Sequence, residues 1–300
     1  MALAAVCIFW GTTYLTIRMA LETFPPLVLV CARFLLSGGI LVAGARIRGA
    51  HLPRGRELWL TALFGVSALG VGNLCLTYSE LLIPSGLAAL FLSTSPFWLV
   101  GMDTVLPNGE RPTLPTAVGL LVGMAGTALL ISPDSLAQGL GSNTVKGFLI
   151  LQAGNICWNA GSIGQRRLTT KAHPAVSGGV QQLAVGIIYL LPAALVGHQP
   201  IQWSVKGVTA LGWLVVFGSI VGYSAYIYSL NHLPVSLVSI YTYVNPVVAV
   251  FLGWVFYREP FGTKEALAVL VIFLGVAIVK RFSPSGGPLP QVLPPASAAE

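Results

Sequence analysis

Apolar residues in this chain do not recur at the spacing of a half-buried surface helix; they fill whole stretches of 17 to 23 residues, separated by short polar turns. About 20 mostly apolar residues in a row make a helix that crosses the hydrocarbon of a bilayer. Ten stretches fit: Ala2 to Arg18, Pro26 to Ala45, Leu58 to Tyr78, Ser85 to Leu106, Leu114 to Ile131, Lys146 to Gln165, Pro174 to Val196, Val208 to Leu230, Val235 to Tyr257 and Lys264 to Lys280. The first lacks a basic leader and is long for the apolar core of a signal peptide, so it is expected to remain as a span. Connections are short and leave no room for a separate soluble domain. From Ser283 onward, Pro, Ser, Gly and Ala predominate with little to bury, which predicts a disordered tail over 283–300.

The pattern repeats. Tyr78-Ser79, Pro84 and Pro96 return 150 positions later as Tyr228-Ser229, Pro234 and Pro246, together with Gly72 and Gly222. Near the start, a shift of 148 places Trp10 on Trp158 and Arg18 on Arg166. Two five-span halves follow, 1–131 and 146–282, joined by an outer loop over 132–145. Because five is odd, the second half enters from the opposite side, and the halves are inverted. Carriers built this way hold substrate near the midplane, where the halves meet. The expected fold is therefore an all-α integral membrane protein of ten transmembrane helices, two five-helix inverted repeats around a central cavity.

Composition agrees: 8% of the residues are charged and 55% apolar, where a soluble domain spends roughly a quarter on charge. With both termini inside, inner segments hold ten Lys and Arg residues, among them Arg46, Arg48, Arg54, Arg56, Arg166 and Arg167, and outer segments five. The net charge of +7 is thus a topology signal, not a nucleic-acid surface. Cys7, Cys31, Cys75 and Cys157 lie within spans without a CxxC pair and are expected to pack as small hydrophobes.

FWGTTYLTIR near the start, the STSPFWLV of the fourth span, its counterpart YVNPVVAVFLGW and the REPFG turn resemble the drug/metabolite transporter superfamily, in its EamA-type members. The likeness runs over about residues 1 to 282 and is strongest to bacterial exporters of aromatic and other amino acids. It implies two five-helix halves enclosing a cavity in the cell inner membrane, with metabolite export as the task.

Pro96 and Pro246 each lie about eleven residues into their spans, near the bilayer centre at ~1.5 Å per residue. Each is expected to break its helix and free the carbonyls of Leu92 and Thr242, which must face protein or a watery cavity. A packing kink is the plain alternative to a hinge. Around these prolines stand Thr94, Ser95, Trp98, Tyr241, Tyr243 and Asn245, with Tyr78 and Tyr228 at span ends. Spans one and six add Trp10, Thr12, Thr13, Asn155, Trp158 and Asn159. Trp10 and Trp158, deep and equivalent, are cavity candidates, whereas Trp59, Trp203, Trp254 and Tyr257 are expected to be interfacial anchors.

Arg33 is the one cation well inside a span. Either it receives a substrate carboxylate, which suits its planar fork, or it snorkels outward or pairs with Glu22 or Glu80; its repeat mates are Gln181 and Gln182. No Asp, Glu or His falls at mid-depth, and Glu80 belongs to the outer side, so uniport without obligatory proton coupling is expected. An aromatic, hydroxyl and amide lining with one fixed charge suits amino acids, or the cationic compounds of a multidrug exporter, better than phosphorylated solutes. No HExxH, GxSxG or phosphate-loop signature appears, so neither an enzyme nor a cofactor or metal is expected. Membrane lipid surrounds such a body. The Gly119-xxx-Gly123 and Gly218-xxx-Gly222 patterns fit packing within a monomer or between monomers.

Overall fold

The computed structural model describes residues 1–83, 88, 91–130, 142–196, 201–257 and 262–283. Among them every regular element is helical. In chain order these are α1 (Ala2–Leu21), α2 (Pro26–Ile47), α3 (Gly55–Ser79), α4 (Ser95–Val105), α5 (Leu114–Leu130), α6 (Ser142–Arg167), α7 (Pro174–Val196) and α8 (Val205–His232). The short α9 (Val235–Val238), α10 (Tyr241–Tyr257) and α11 (Thr263–Phe282) complete the order. Five helices, α1, α2, α3, α7 and α8, are long and apolar enough to cross a membrane, and shorter apolar helices accompany them.

Local chemistry sets the ends. Pro26 opens α2 where a missing N–H costs nothing. The Ser204 hydroxyl accepts from the Gly207 N–H at 3.0 Å to cap α8. Glu265 accepts from the Gly262 N–H at 2.8 Å at the start of α11. The expected outer loop and tail fall largely on 131–141 and 284–300, outside the described residues, as do Pro84 and the Glu259-Pro260 turn.

Burial is inverted relative to a soluble protein. Ile40, Leu63, Leu121, Leu191 and Phe273 face outward, while Ser37, Asn159, Gln181 and Gln182 are buried. Lipid accepts the first set, and the second must satisfy its hydrogen bonds internally. Trp59 and Trp203 are exposed, as interfacial anchors should be; the side chains of Trp254 and Tyr257 lie outside the described residues. The four cysteines are free.

Helix α2 runs along α7 and α5 along α11, forming two long seams. Between them, α1 packs on α8 and α10, and α6 packs on α3 and α4. Small residues allow the close approaches. A Cβ on Gly275 would stand 2.5 Å from the Gly123 nitrogen, and one on Gly222 2.6 Å from the Trp10 indole nitrogen. Both glycine patterns noted in the sequence are therefore occupied within the chain.

Two features depart from regular helix. Val66–Gly72 in α3 and Leu214–Val221 in α8 are π-helical, at positions matched by the repeat shift. The proline expectation needs correction for one of its two sites. Pro96 is the second residue of α4 and follows a turn at 93–94, but Pro246 sits inside α10, and the break falls earlier, at 239–240. Helix α10 runs on through the proline at its sixth position, which leaves the carbonyl of the cavity-lining Thr242 without the N–H it would otherwise accept.

Gly275→Val is expected to overpack the α5–α11 seam and cost about 1–3 kcal/mol. It should lower the thermal midpoint of the purified protein in detergent, whereas Gly39→Ala, whose Cβ meets nothing within 4 Å, should not.

Candidate functional site

One cavity lies where α1 and α2 face α3, α6, α8 and α10, with about 740 Å³ of unfilled space, its open mouth included. Eight residues chosen from the sequence line it: Trp10, Thr13, Arg33, Ser95, Asn155, Trp158, Tyr241 and Asn245. Depth and repeat position had selected them; the packing of α1 and α6 against the opposite halves brings them together.

The aromatic wall is built on Trp10. Its ring meets Trp158 edge-on at 5.4 Å, Tyr241 edge-on at 5.1 Å and Tyr226 at 5.1 Å between centroids. Its indole N–H donates to the Gly218 carbonyl at 2.9 Å, inside the π-helical stretch of α8. Such stretches displace backbone groups from the regular ladder and recur at functional sites. The Trp158 ring closes this wall, packed against Trp10, Tyr223 and Tyr226, with its indole nitrogen shut off from solvent among them.

Arg33 is buried. Its Nε donates to the Ser219 hydroxyl at 2.7 Å and one terminal nitrogen lies 3.4 Å from Asn73 Oδ1, while the guanidinium carbon sits 5.0 Å from the Phe34 ring centre. No carboxylate among the described residues forms an ion pair with it. Glu22, one partner considered from the sequence, is held by Lys206 at 2.7 Å. The snorkelling alternative fails too, because the guanidinium turns inward to neutral oxygens. Among the described residues Arg33 is the single charged side chain of the lining. Its repeat mate Gln182 accepts from Ser37 and lies 3.5 Å from the Ser219 carbonyl.

Four sequence candidates do not reach the cavity. Asn159 donates to the Ser95 hydroxyl at 2.9 Å and to the Asn155 side chain at 3.0 Å, holding two lining residues from behind. Thr94 accepts from Asn155 at 3.2 Å. Trp98 faces outward and donates to Gln152 at 2.9 Å. Tyr78 is exposed at the end of α3, as its echo Tyr228 is in α8, where it stacks on His232 at 4.1 Å. Leu92 and Thr242, named in the sequence for their carbonyls, line the site as well, and Tyr14, Asn73, Ser219 and Tyr223 line it without having been singled out. The repeat shift of 150 pairs Asn73 with Tyr223 and was the one signal that pointed to them.

The lining runs from Trp10 to Ile17 on α1 and from Leu69 to Leu76 on α3, so the cavity extends toward the C-terminal ends of both helices. Polar contacts tie the other end. Arg167 pairs with the fully buried Asp103 at 2.8 Å and Arg166 donates to the Leu230 and Leu233 carbonyls. Glu110 accepts from the Val235 N–H at 2.7 Å. Glu80 caps the C-terminal end of α3, one turn beyond the cavity-lining Leu76, and both of its carboxylate oxygens are shut off from solvent. The expectation of uncoupled transport rested on there being no Asp, Glu or His at mid-depth, and a place at a helix end does not keep this carboxylate in water. Among the described residues no His, Cys, Asp and Glu cluster has the makings of a metal site.

The model of the EamA-like transporter family matches residues 1–132 and 145–281. The inner membrane transporter YedA of Escherichia coli is 35% identical over 280 residues, which cover 93% of this chain and 89% of that protein. A transporter of Bacillus subtilis, YvbV, is 26% identical over 94% of this chain and 91% of its own length. A probable terminal-alkyne amino-acid exporter of Streptantibioticus cattleyicolor is 25% identical over 92% and 90%. One solved crystal structure superposes with a TM-score of 0.79 at 22% identity, covering 94% of this chain and 96% of that one, a likeness of fold.

Trp158→Ala removes one wall of the aromatic box, and should weaken binding of a cavity ligand roughly tenfold, about 1.4 kcal/mol. Trp98→Phe should leave it within about twofold. Quenching of tryptophan fluorescence on titration, or competition in transport, measures both.

Proposed function

The chain belongs to the EamA-like transporter family, a multi-pass inner membrane transporter and not an enzyme, and from that premise we propose that it exports neutral and aromatic amino acids by alternating access. The observation that carries this reading is Arg33: buried, unpaired with any described carboxylate, and set on the cavity wall beside an aromatic box. A guanidinium of this kind presents further N–H groups to a planar carboxylate. The faces of Trp10, Trp158, Tyr223 and Tyr241 supply surfaces for an apolar side chain and for an ammonium group. A zwitterion uses all of these; a purely cationic compound would meet Arg33 as a like charge.

In this reading ten helices form two inverted halves, with both termini cytoplasmic and the chain acting as a monomer. Support comes from the matched π-helical stretches of α3 and α8 and from the reciprocal packing of α1 on α8 and α10 and of α6 on α3 and α4. The amino-acid exporter among the relatives is consistent with the substrate class. The cavity then opens outward, with the Asp103–Arg167 pair closing the cytoplasmic end.

Purified protein in liposomes should exchange labelled Phe, Trp, Thr and Met in counterflow. Phenethylamine, which lacks the carboxylate, should compete at least about tenfold less well than phenylalanine, and Arg33→Gln should abolish that difference. A wild type that prefers the amine is a cationic-compound exporter, and the assignment of Arg33 falls.

A further inference from the structure

Glu80 is a second buried charge-bearing group, and nothing in the substrate reading uses it. It caps the C-terminal end of α3, its own N–H bonded to the Leu76 carbonyl at 3.1 Å. Leu76 lines the cavity one turn before it. Both carboxylate oxygens are inaccessible to solvent and neither has a hydrogen-bond donor, although part of the residue's stem is exposed. A negative charge here is opposed three ways. It has left water without a compensating donor, which costs several kcal/mol. It stands at the negative end of a helix dipole. No cation among the described residues lies within ion-pair distance.

The charged and titratable groups around it are few. Helix α1 presents Arg18, partly exposed, and Tyr14, which lines the cavity. Of the helices packed on this end of α3, α2 carries Arg33, committed to Ser219 and Asn73, and α6 carries Lys146 at its N-terminal end. On α8, Lys206 is taken by Glu22. Loss of solvation pushes the Glu80 carboxyl well above the ordinary carboxylate range, with the Arg18 charge acting the other way.

We propose that Glu80 is a proton-binding site: it holds a proton in the conformation described here and releases it to water when α2 and α6 part from the C-terminal end of α3, linking proton movement to substrate movement. The site has the two properties such a link requires. Its proton affinity depends on burial, and its burial depends on the packing of helices that also line the cavity.

Two measurements on the full-length protein test this, the first independent of any substrate. At neutral pH the infrared carbonyl band of a protonated carboxylic acid is expected in the wild type and is expected to vanish in Glu80→Gln, with the thermal midpoints of both alike. A wild type without that band, or a variant that keeps it, overturns the proposal. The second rests on the amino-acid reading. In liposomes, phenylalanine accumulation driven by a pH gradient, imposed in either direction, should fall about fivefold or more in Glu80→Gln and return in Glu80→Asp. Equal accumulation by wild type and Glu80→Gln overturns the link. If the wild type shows no phenylalanine counterflow at all, the substrate reading fails, while the infrared band still decides whether Glu80 carries a proton.

Discussion

The Trp10 indole donates across the molecule to the Gly218 carbonyl, and much of the structure depends on that contact. Within hydrocarbon, a backbone group outside the regular ladder has no water to turn to, and an unsatisfied one costs several kcal/mol. Irregular backbone is therefore confined to places where protein or a watery cavity can serve it. The π-helical stretch of α8 meets that condition because α1 brings an indole donor to it, and Gly222 leaves room for the ring. The same contact fixes the plane of Trp10, around which Trp158, Tyr226 and Tyr241 arrange themselves edge-on or tilted. Backbone satisfaction and the shape of the cavity wall are one requirement.

What could be read from the sequence was depth, and what could not was azimuth. Trp10, Trp158, Arg33, Asn155 and Asn245 were found because their distance along a span and their repeat positions place them at mid-bilayer. Thr94 and Trp98 lie at the same depth yet point elsewhere, since the turn at 93–94 resets the helical phase of α4 before Ser95, while Asn159, one turn on from Asn155 in α6, lies behind it and bonds both Asn155 and Ser95. Ser219 and Tyr223 escaped for a related reason: a π-helical stretch disrupts the 3.6-residue period by which a face is counted. The misjudged break at Pro246 has a local cause. Proline disrupts a helix interior through the N–H it lacks and the carbonyl it displaces, and membrane helices tolerate it where neighbouring helices, Ser or Thr side chains or local adjustment serve the freed group.

Shielding, too, is invisible from position alone. Glu80 and Glu22 both belong to helix ends in the sequence, yet one carboxylate is exposed and salt-bridged to Lys206 while the other is enclosed without a donor. Asp103 shows a third outcome, fully buried but satisfied by Arg167 and by the Glu110 N–H. Only the packing of neighbouring helices distinguishes these cases.

In the proposed reading of two inverted halves, the repeat is uneven in charge, and that difference bears on how such a carrier would work. Arg33 faces the cavity from one half, and its counterparts from the other are the neutral Gln181 and Gln182. An arginine at membrane depth costs about 3 kcal/mol even on permissive scales. Water in an open cavity relieves that cost, and closing the cavity without a substrate would restore it. A bound carboxylate neutralises the guanidinium and makes the occluded state accessible, so the charge that recognises the substrate would also hinder empty passage between the two open states. Glu80 adds the complementary term: protonated, it tolerates burial, and ionised it resists it. A carrier with one fixed positive charge and one titratable carboxyl near its cavity can thus make closure conditional on both a substrate and a proton, without any further charged group on the lining.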